Sequence, residues 1–208
     1  MAHRIPWFRS PLPLLALLLV LAAPVHAQTW TETGDAGDLV STAQTTAGSG
    51  PLTTINGTFS SPADVDLYCV KVTAPASFLA HINCTMFLDP DLWLFDAAGN
   101  GIALNDACAA GWVLIPSSFV STSGQYYLAI SGDGRDALSA GGNIWLSPWV
   151  SGARAPDGPG AAGTLLGWGG SATLTSSSYS ITLAGTTFCD AATPAGARSW
   201  GRMKTLYR

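Results

Sequence analysis

The sequence predicts an all-β fold, an antiparallel β-sandwich, from two observations. After residue 27, no stretch carries the sustained apolar stripe at i, i+3, i+4 and i+7 that an amphipathic helix needs. Instead, short runs of β-branched and aromatic residues recur, each bounded by Gly, Asp, Asn or Pro, which is the pattern of strands and turns. Roughly seven to nine short strands at this spacing are typical of two antiparallel sheets packed around one core.

Residues 1–27 are predicted to be a cleavable signal peptide. Arg4 and Arg9 give a positive start, residues 12–23 form an apolar run, and the segment ends on small residues at Ala27. A membrane-spanning helix needs about 20 apolar residues, so this run is too short, although an uncleaved anchor is the alternative. We therefore expect an exported chain, secreted or at the cell surface, with no membrane span after cleavage.

The predicted strands follow a polar lead-in, residues 28–50, and fill a single domain that we place at 51–188. The clearest element is a hairpin whose turn sequence is DAAGNG, where Asn100 and Gly101 are expected to supply the positive φ angles of a tight turn. Near the end of the domain, residues 148–163 form a Pro- and Gly-rich loop, expected at the surface. In chain order, the predicted strands are 52–59, 64–72, 78–84, 92–95, 102–104, 113–119, 125–131, 143–146 and 179–183.

Acidic residues dominate the part of the chain that would be exported. All 13 Asp and Glu lie between residues 28 and 190, where the only bases are Lys71, Arg135 and Arg154, so this range has a net charge of about −10. Such a surface repels phosphate backbones, which argues against nucleic acid as a partner.

The four cysteines predict two disulfides, because their number is even and the chain is expected to be exported. Their spacing lacks the close C-x-x-C pairs of a zinc site. Sequence alone allows three pairings. We favour Cys84–Cys108, which would close a loop around a hairpin, together with Cys69–Cys189, which would fasten the end of the domain.

Short segments of the domain occur in a recognisable order: GDAGD at 34–38, INGT at 55–58, DVDLY at 64–68, DLWLFD at 91–96 with GN at 99–100, and GQYYLAI at 124–130. In this order they resemble the bacterial pre-peptidase C-terminal domain and its stand-alone relatives, over roughly residues 30–187. The resemblance implies a jelly-roll-like β-sandwich that is not itself catalytic and is usually appended to secreted hydrolases. Some similar domains bind calcium and adhere to polymers. In this chain no peptidase precedes the segments, and the four cysteines are a second departure.

A cluster of oxygen-bearing side chains around the hairpin is the candidate metal site. Calcium takes six to eight hard oxygen ligands, which carboxylates and Asn carbonyls supply. We expect Asp91 and Asp106 to meet at the open end of the hairpin, with Asp64 or Asp66 as a further ligand. The alternative is that these side chains only form turns by bonding nearby backbone amides. Asp133 and Asp136 suggest the same two interpretations. The candidate ligands are Asp89, Asp91, Asp96, Asn100, Asn105 and Asp106.

Two other features indicate binding surfaces. Trp145 and Trp149, beside the long loop, are the tryptophans that we expect to be exposed and able to stack on sugars, although most tryptophans of a sandwich lie in its core. Residues 189–208 form a basic tail, interpreted as an anchoring or sorting segment or as a frayed end. Its bases are Arg198, Arg202, Lys204 and Arg208.

The sequence offers no convincing catalytic machinery. His81 would be the one histidine left after signal cleavage, and it lies in the middle of a predicted strand. No G-x-S-x-G motif accompanies it, and the single glutamate, Glu32, lies in the lead-in. We therefore assign no catalytic residue.

Together these features predict a non-catalytic, secreted or cell-surface binding or accessory module, with calcium as the expected cofactor. Its expected partner is a polymer, either polysaccharide or protein, or a surface protein. Two alternatives stay open: a structural surface component held by its basic tail, and an unrecognised hydrolase with paired carboxylates.

Overall fold

The all-β fold is confirmed by the computed structural model, which describes residues 26–85, 89–146, 152–172 and 178–191. Three 3₁₀ helices of one turn, Pro75–Ser77, Cys108–Ala110 and Ser117–Phe119, are the helical elements of these ranges, and no helix in them is long and apolar enough to cross a membrane. The strands are β1 (Gln28–Thr31), β2 (Gln44–Thr45), β3 (Ala47–Gly48), β4 (Leu52–Thr58), β5 (Val65–Val72), β6 (Leu79–Asn83), β7 (Pro90–Asp96), β8 (Gly101–Asn105), β9 (Trp112–Pro116), β10 (Gly124–Gly132), β11 (Arg135–Ser139), β12 (Gly142–Asn143), β13 (Gly167–Gly170), β14 (Ser178–Ala184), β15 (Thr186–Phe188) and β16 (Asp190–Ala191).

Two sheets form the sandwich. Sheet A has the strand order β1-β4-β14-β6-β9, and sheet B has the order β15-β5-β10-β7-β8, with β2 also paired to β5. The long strands pair antiparallel, as predicted, whereas β1 pairs parallel with β4 and β2 pairs parallel with β5. The polar lead-in, which we placed before the domain, therefore contributes strands to both sheets.

The inner core lies between the two sheets. From sheet A it receives Ile55 and Ile181, and from sheet B it receives Val70 and Leu128, all fully buried. These residues alternate along their strands with side chains of the opposite face, as a period of two requires.

Sheet B is buried on its other face as well. The outer core there includes Leu67, Trp93, Phe95 and Ala129, which alternate with the inner-core residues of β5, β7 and β10. These strands are buried at nearly every position, which is typical of a sheet covered on both sides. The cover, defined here as the described residues of 135–172, consists of the small sheet β12-β11-β13 and the loop residues between β12 and β13.

The long loop predicted at 148–163 packs back onto sheet B over its described residues. Arg154 exchanges backbone hydrogen bonds with Leu104 of β8, at 2.8 and 3.0 Å. The predicted strand 143–146 is wrong beyond Asn143, because Ile144 and Trp145 turn into the outer core instead of continuing a ladder. Similarly, the strand predicted at 113–119 ends at Pro116, where a 3₁₀ turn begins.

The predicted hairpin forms between β7 and β8, but its positive φ angle lies one step earlier than expected. Gly99, with φ of +85°, adopts the left-handed conformation, whereas Gly101 does not. The Asp96 carboxylate organises this turn by accepting the backbone N–H groups of Ala98 and Asn100, both at 2.9 Å.

Both disulfides have the favoured pairing. Cys84 pairs with Cys108, and Cys69 on β5 pairs with Cys189 directly after β15. The second disulfide fastens the end of the described chain to sheet B, next to Thr46, whose hydroxyl accepts the backbone N–H of Cys189.

Removing the Cys69–Cys189 disulfide is expected to destabilise the protein more than removing Cys84–Cys108. In the chain-entropy description, a crosslink over 120 residues contributes about 5 kcal/mol and one over 24 residues about 3.5 kcal/mol. Equilibrium urea unfolding of the two double Cys→Ala variants measures both losses. A larger loss for the Cys84/Cys108 variant would contradict this ranking.

Candidate functional site

The structure divides the predicted metal cluster between the two ends of the hairpin. Asp91 and Asp106 line one cleft at its open end. Asp96 and Asn100 lie at the other end, where the Asn100 amide donates to Asp96 Oδ2 at 2.8 Å, so both are engaged in the turn.

The remaining members of that cluster have structural contacts. Asn105 is buried, donates to the Leu114 carbonyl at 2.8 Å and accepts the Ala107 N–H at 3.0 Å, which connects β8 to β9. Asp89 is exposed, and its backbone carbonyl accepts the N–H of Asp133 at 2.9 Å. That bond brings the turn after β10 alongside the start of β7.

The acidic cleft, as we name the space lined by Asp91, Asp106, Asp133 and Asp136, has a volume of about 490 Å³. It opens between the end of sheet B and the cover. Asp91 stands opposite Ser131 in the β7–β10 ladder, and Asp106 directly follows β8. The other two acids come from the β10–β11 turn and from β11 itself, which the strand order β10-β7-β8 places beside the hairpin. The sequence suggested all four residues as ligands, but it could not show that Asp133 and Asp136 lie next to Asp91 and Asp106.

Asp91 is the most confined of these acids. Its side chain is only 2% exposed, and among the described residues its Oδ1 atom has no hydrogen-bond partner. Burial raises the pKa of Asp91 well above its ordinary value, and the carboxylates of Asp133, Asp106 and Asp89 raise it further.

Two arginines also line the acidic cleft. Arg154 directs Nη1 to both carboxylate oxygens of Asp157, at 3.0 and 3.1 Å, and Nη2 to the carbonyl of Leu146, with Asp106 Oδ2 at 3.8 Å. Arg135 donates from Nη1 to the Gly170 carbonyl at 2.7 Å. Both guanidinium groups therefore bond residues of the cover, and Arg154 also connects the cover to Asp106 after β8.

Trp145 does not have the exposed ring that its predicted role in sugar stacking requires. It is 2% exposed because it packs edge-on against Trp93 and Phe95, at centroid distances of 5.4 and 5.7 Å, and it forms one apolar wall of the acidic cleft. Trp149 lies outside the described residues, as does the tail from residue 192. Trp112, at the start of β9, is instead the described tryptophan with a large exposed fraction, 47%.

A second acidic group lies on the opposite face of sheet B. One oxygen from each carboxylate of Glu32, Asp35 and Asp66 lies within 4.8 Å of the others, a spacing at which a single metal ion can contact all three. The described residues contain one other such group, Cys84, Asp89 and Cys108, which is excluded because its two sulfurs are bonded to each other. We call the Glu32, Asp35 and Asp66 group the carboxylate triad.

Asp66 is the buried member of the triad. It lies on β5 with its side chain toward sheet A, where Oδ2 accepts the Tyr179 hydroxyl and Oδ1 has no partner in the described part of the chain. Tyr68 donates in turn to the Tyr179 oxygen at 2.6 Å, and burial raises the pKa of both phenols so that they stay protonated. Burial likewise raises the pKa of Asp66, and nearby Asp64 and Glu32 add to that shift.

The lead-in positions the other two carboxylates. Glu32 follows β1, and its oxygens accept the backbone N–H groups of Ala36 at 3.0 Å and Thr58 at 2.7 Å, so it connects the lead-in to the end of β4. Gly57 makes room for the tyrosine pair, because a Cβ there would lie 2.3 Å from the Tyr179 hydroxyl. Sequence reasoning missed Glu32 and Asp35 as ligands, although Asp35 lies in the GDAGD segment.

The fold and these two acidic sites describe a small disulfide-bonded β-sandwich. No protein-family model matches the chain, and no curated protein matches it. Among solved structures the chain is similar to PliG of Aeromonas hydrophila, a periplasmic inhibitor of g-type lysozyme, with 12% identity and a TM-score of 0.31. That similarity covers 76% of this chain and 97% of PliG, and it carries no information on function.

The buried Asp91 carboxyl should make stability depend on pH. A carboxyl whose pKa is higher in the folded than in the unfolded state contributes stability below its ordinary pKa of 3.8, and this contribution is lost as the pH rises through the folded-state pKa. In EDTA, we expect the free energy of unfolding to fall as the pH rises above about 4, and to fall less steeply in Asp91→Asn, by up to about 1.4 kcal/mol per pH unit. Urea denaturation at several pH values measures both slopes. Asp190→Asn, at an exposed position, is the charge-matched control, and equal slopes in the wild type and Asp91→Asn would refute the argument.

Proposed function

We propose that this protein is an exported, non-catalytic binding module whose sandwich is stabilised by calcium at the carboxylate triad. The observation that carries the proposal is that one oxygen from each of Glu32, Asp35 and Asp66 lies within 4.8 Å of the others, and that the buried Asp66 carboxyl has an Oδ1 atom with no partner in the described residues. Calcium accepts carboxylates in flexible geometry, and backbone carbonyls and waters complete its six to eight ligands. The resemblance of 34–38 and 64–68 to segments of pre-peptidase C-terminal domains supports the same site.

The electrostatics favour a divalent cation at this place. Three carboxylates within 4.8 Å repel one another, and the buried one bears a desolvation cost when it ionises. A bound cation of charge +2 offsets both costs. It would also fasten the lead-in, through Glu32 and Asp35, to β5 of sheet B.

Several features support a binding rather than a catalytic role. His81 lies on the outward face of sheet A, between the inward-facing Ala80 and Ile82, and therefore away from both acidic sites. The two disulfides are typical of an exported protein, where thiols are oxidised. We propose a polymer or a surface protein as the partner.

Calcium is expected to raise the unfolding temperature relative to EDTA. A ligand at 100 times its dissociation constant that binds only the folded state adds about 2.7 kcal/mol, which corresponds to roughly 5–10 °C for a protein of this size. Glu32→Gln and Asp35→Asn are expected to lose most of that shift, because each removes a charged ligand. Differential scanning fluorimetry of the purified protein measures it.

The controls separate the triad from the acidic cleft. Asp190→Asn and Asp91→Asn should keep the calcium shift, because neither side chain belongs to the triad. The proposal fails if calcium and EDTA give coincident curves. It fails equally if Asp91→Asn abolishes the shift while Asp35→Asn keeps it, since calcium would then bind in the cleft.

A further inference from the structure

The acidic cleft carries negative charge in an arrangement that does not suit a metal ion. Four carboxylates line it, those of Asp91, Asp106, Asp133 and Asp136. No three of them bring oxygens within 4.8 Å of one another, unlike the carboxylate triad on the other face of sheet B. A metal ion needs ligands that converge on one point, whereas spaced carboxylates match a larger cation with several N–H donors.

The cleft nevertheless contains an acceptor that lacks a donor. Asp91 is 2% exposed, its Oδ1 atom has no partner in the described residues, and it lines the cleft. The charged groups that act on it most strongly are all acidic: Asp133, Asp106, Asp89 and Asp136. Neither arginine of the cleft has a hydrogen bond or ion pair to Asp91 in the described residues. Arg135 donates to the Gly170 carbonyl, and Arg154 donates to Asp157 and Leu146 and forms an ion pair with Asp106 at 3.8 Å.

Part of the wall of the cleft is apolar. Leu104, Trp93 and Trp145 lie beside the carboxylates, and Leu146, 52% exposed, stands at the margin. A hydrated metal ion gains nothing from such walls. A long aliphatic chain with a charged end does, because its methylenes pack on apolar surface while its head reaches the carboxylates. The volume of about 490 Å³ lies within the range of roughly 300–1,000 Å³ that is usual for small-ligand sites.

We propose that the acidic cleft binds a basic side chain, lysine or arginine, presented by a protein partner, with the cationic head at Asp91 and the stem between Trp145 and Leu104. This inference names the ligand class for the binding module proposed above and rests on that function. It is independent of calcium, because the carboxylate triad lies on the opposite face of sheet B. The rim acids Asp133 and Asp136 would hold the remaining N–H donors and guide the cation inward.

Titration of the purified protein with short peptides tests the proposal. The probes are acetyl-Gly-Lys-Gly-amide and acetyl-Gly-Arg-Gly-amide, with the Nε-acetylated lysine peptide as the neutral control. Binding is followed by NMR through the indole N–H resonances of Trp93 and Trp145. We expect saturable shifts with at least one basic peptide, and an affinity at least tenfold lower for the acetylated one.

Two variants connect binding to the cleft acids. Asp91→Asn keeps the shape of the side chain and should weaken binding at least tenfold, whereas Asp190→Asn should leave it unchanged. Asp133→Asn alters an exposed position, so it should fold normally and weaken binding severalfold. A merely structural role for Asp91 would change stability without changing the affinity for the peptides.

Two further probes distinguish other sources of positive charge. Cadaverine, a free diamine, should bind more weakly than the basic peptides, and a tighter affinity for it would overturn the assignment to a protein partner. Calcium should leave the Trp93 and Trp145 resonances unchanged, and its competition with the peptide would overturn the assignment to an organic cation. The calcium-dependent thermal shift of Asp91→Asn is measured as well. If the shift persists, the calcium proposal stands whatever the outcome of the peptide titrations.

Discussion

The burial of sheet B on both faces is the constraint on which the rest of the structure depends. The strands β5, β7 and β10 are buried at nearly every position, and sheet A can cover only the side chains on one of their two faces. The other half, including Trp93 and Phe95, would expose a large aromatic surface without a second layer. Ala137 of β11 and the residues Ile144, Trp145 and Leu165, between β12 and β13, supply that layer. The described part of the segment between β12 and β13 is therefore part of a core and not only a connection.

The two acidic sites follow from the same constraint. Along a strand, successive side chains point to opposite faces, and at one end of sheet B the strands carry acids in place of apolar residues. Asp66 lies among inner-core positions of β5, and Asp91 lies among outer-core positions of β7. Each is buried with one unpartnered oxygen, a placement that destabilises an ionised carboxyl by several kcal/mol unless a cation compensates. A sheet covered on one side only would have left Asp91 in water.

The sequence predicted the elements whose signal is local. The strands at 64–72, 92–95 and 125–131 have strong β-branched and aromatic character, and each lies within one or two residues of its observed bounds. By contrast, β11 (RDALS) and β13 (GWGG) have weak strand propensity and form because they pair with each other over the outer core. The formation of such strands depends on tertiary packing, and a short window of sequence does not reveal that packing.

The contrast between local signals and tertiary packing also explains which site residues the sequence predicted and which it missed. The proximity of Asp91 and Asp106 could be inferred, because the two arms of a hairpin place them opposite each other whatever the rest of the fold does. Asp133 joins them only because β10 lies between β5 and β7, an order that sequence does not reveal. Glu32 reaches Asp66 only because β1 pairs parallel with β4. An acid at an inward position of an apolar strand was the available signal for Asp66, since a buried carboxyl needs a partner.

Both sites are acidic. They differ in the spacing of their carboxylates and in the side chains that surround them. On the inner face, three carboxylates lie within 4.8 Å of one another, beside tyrosines that hold Asp66 in place, and this geometry suits a small, hard cation. On the outer face, the carboxylates are farther apart and stand against tryptophan and leucine side chains. A small ion there could not contact three carboxylates at once and would have to shed water against apolar walls. A basic side chain satisfies the acids and the walls together, so one sheet can present a structural cation site on one face and a recognition site on the other.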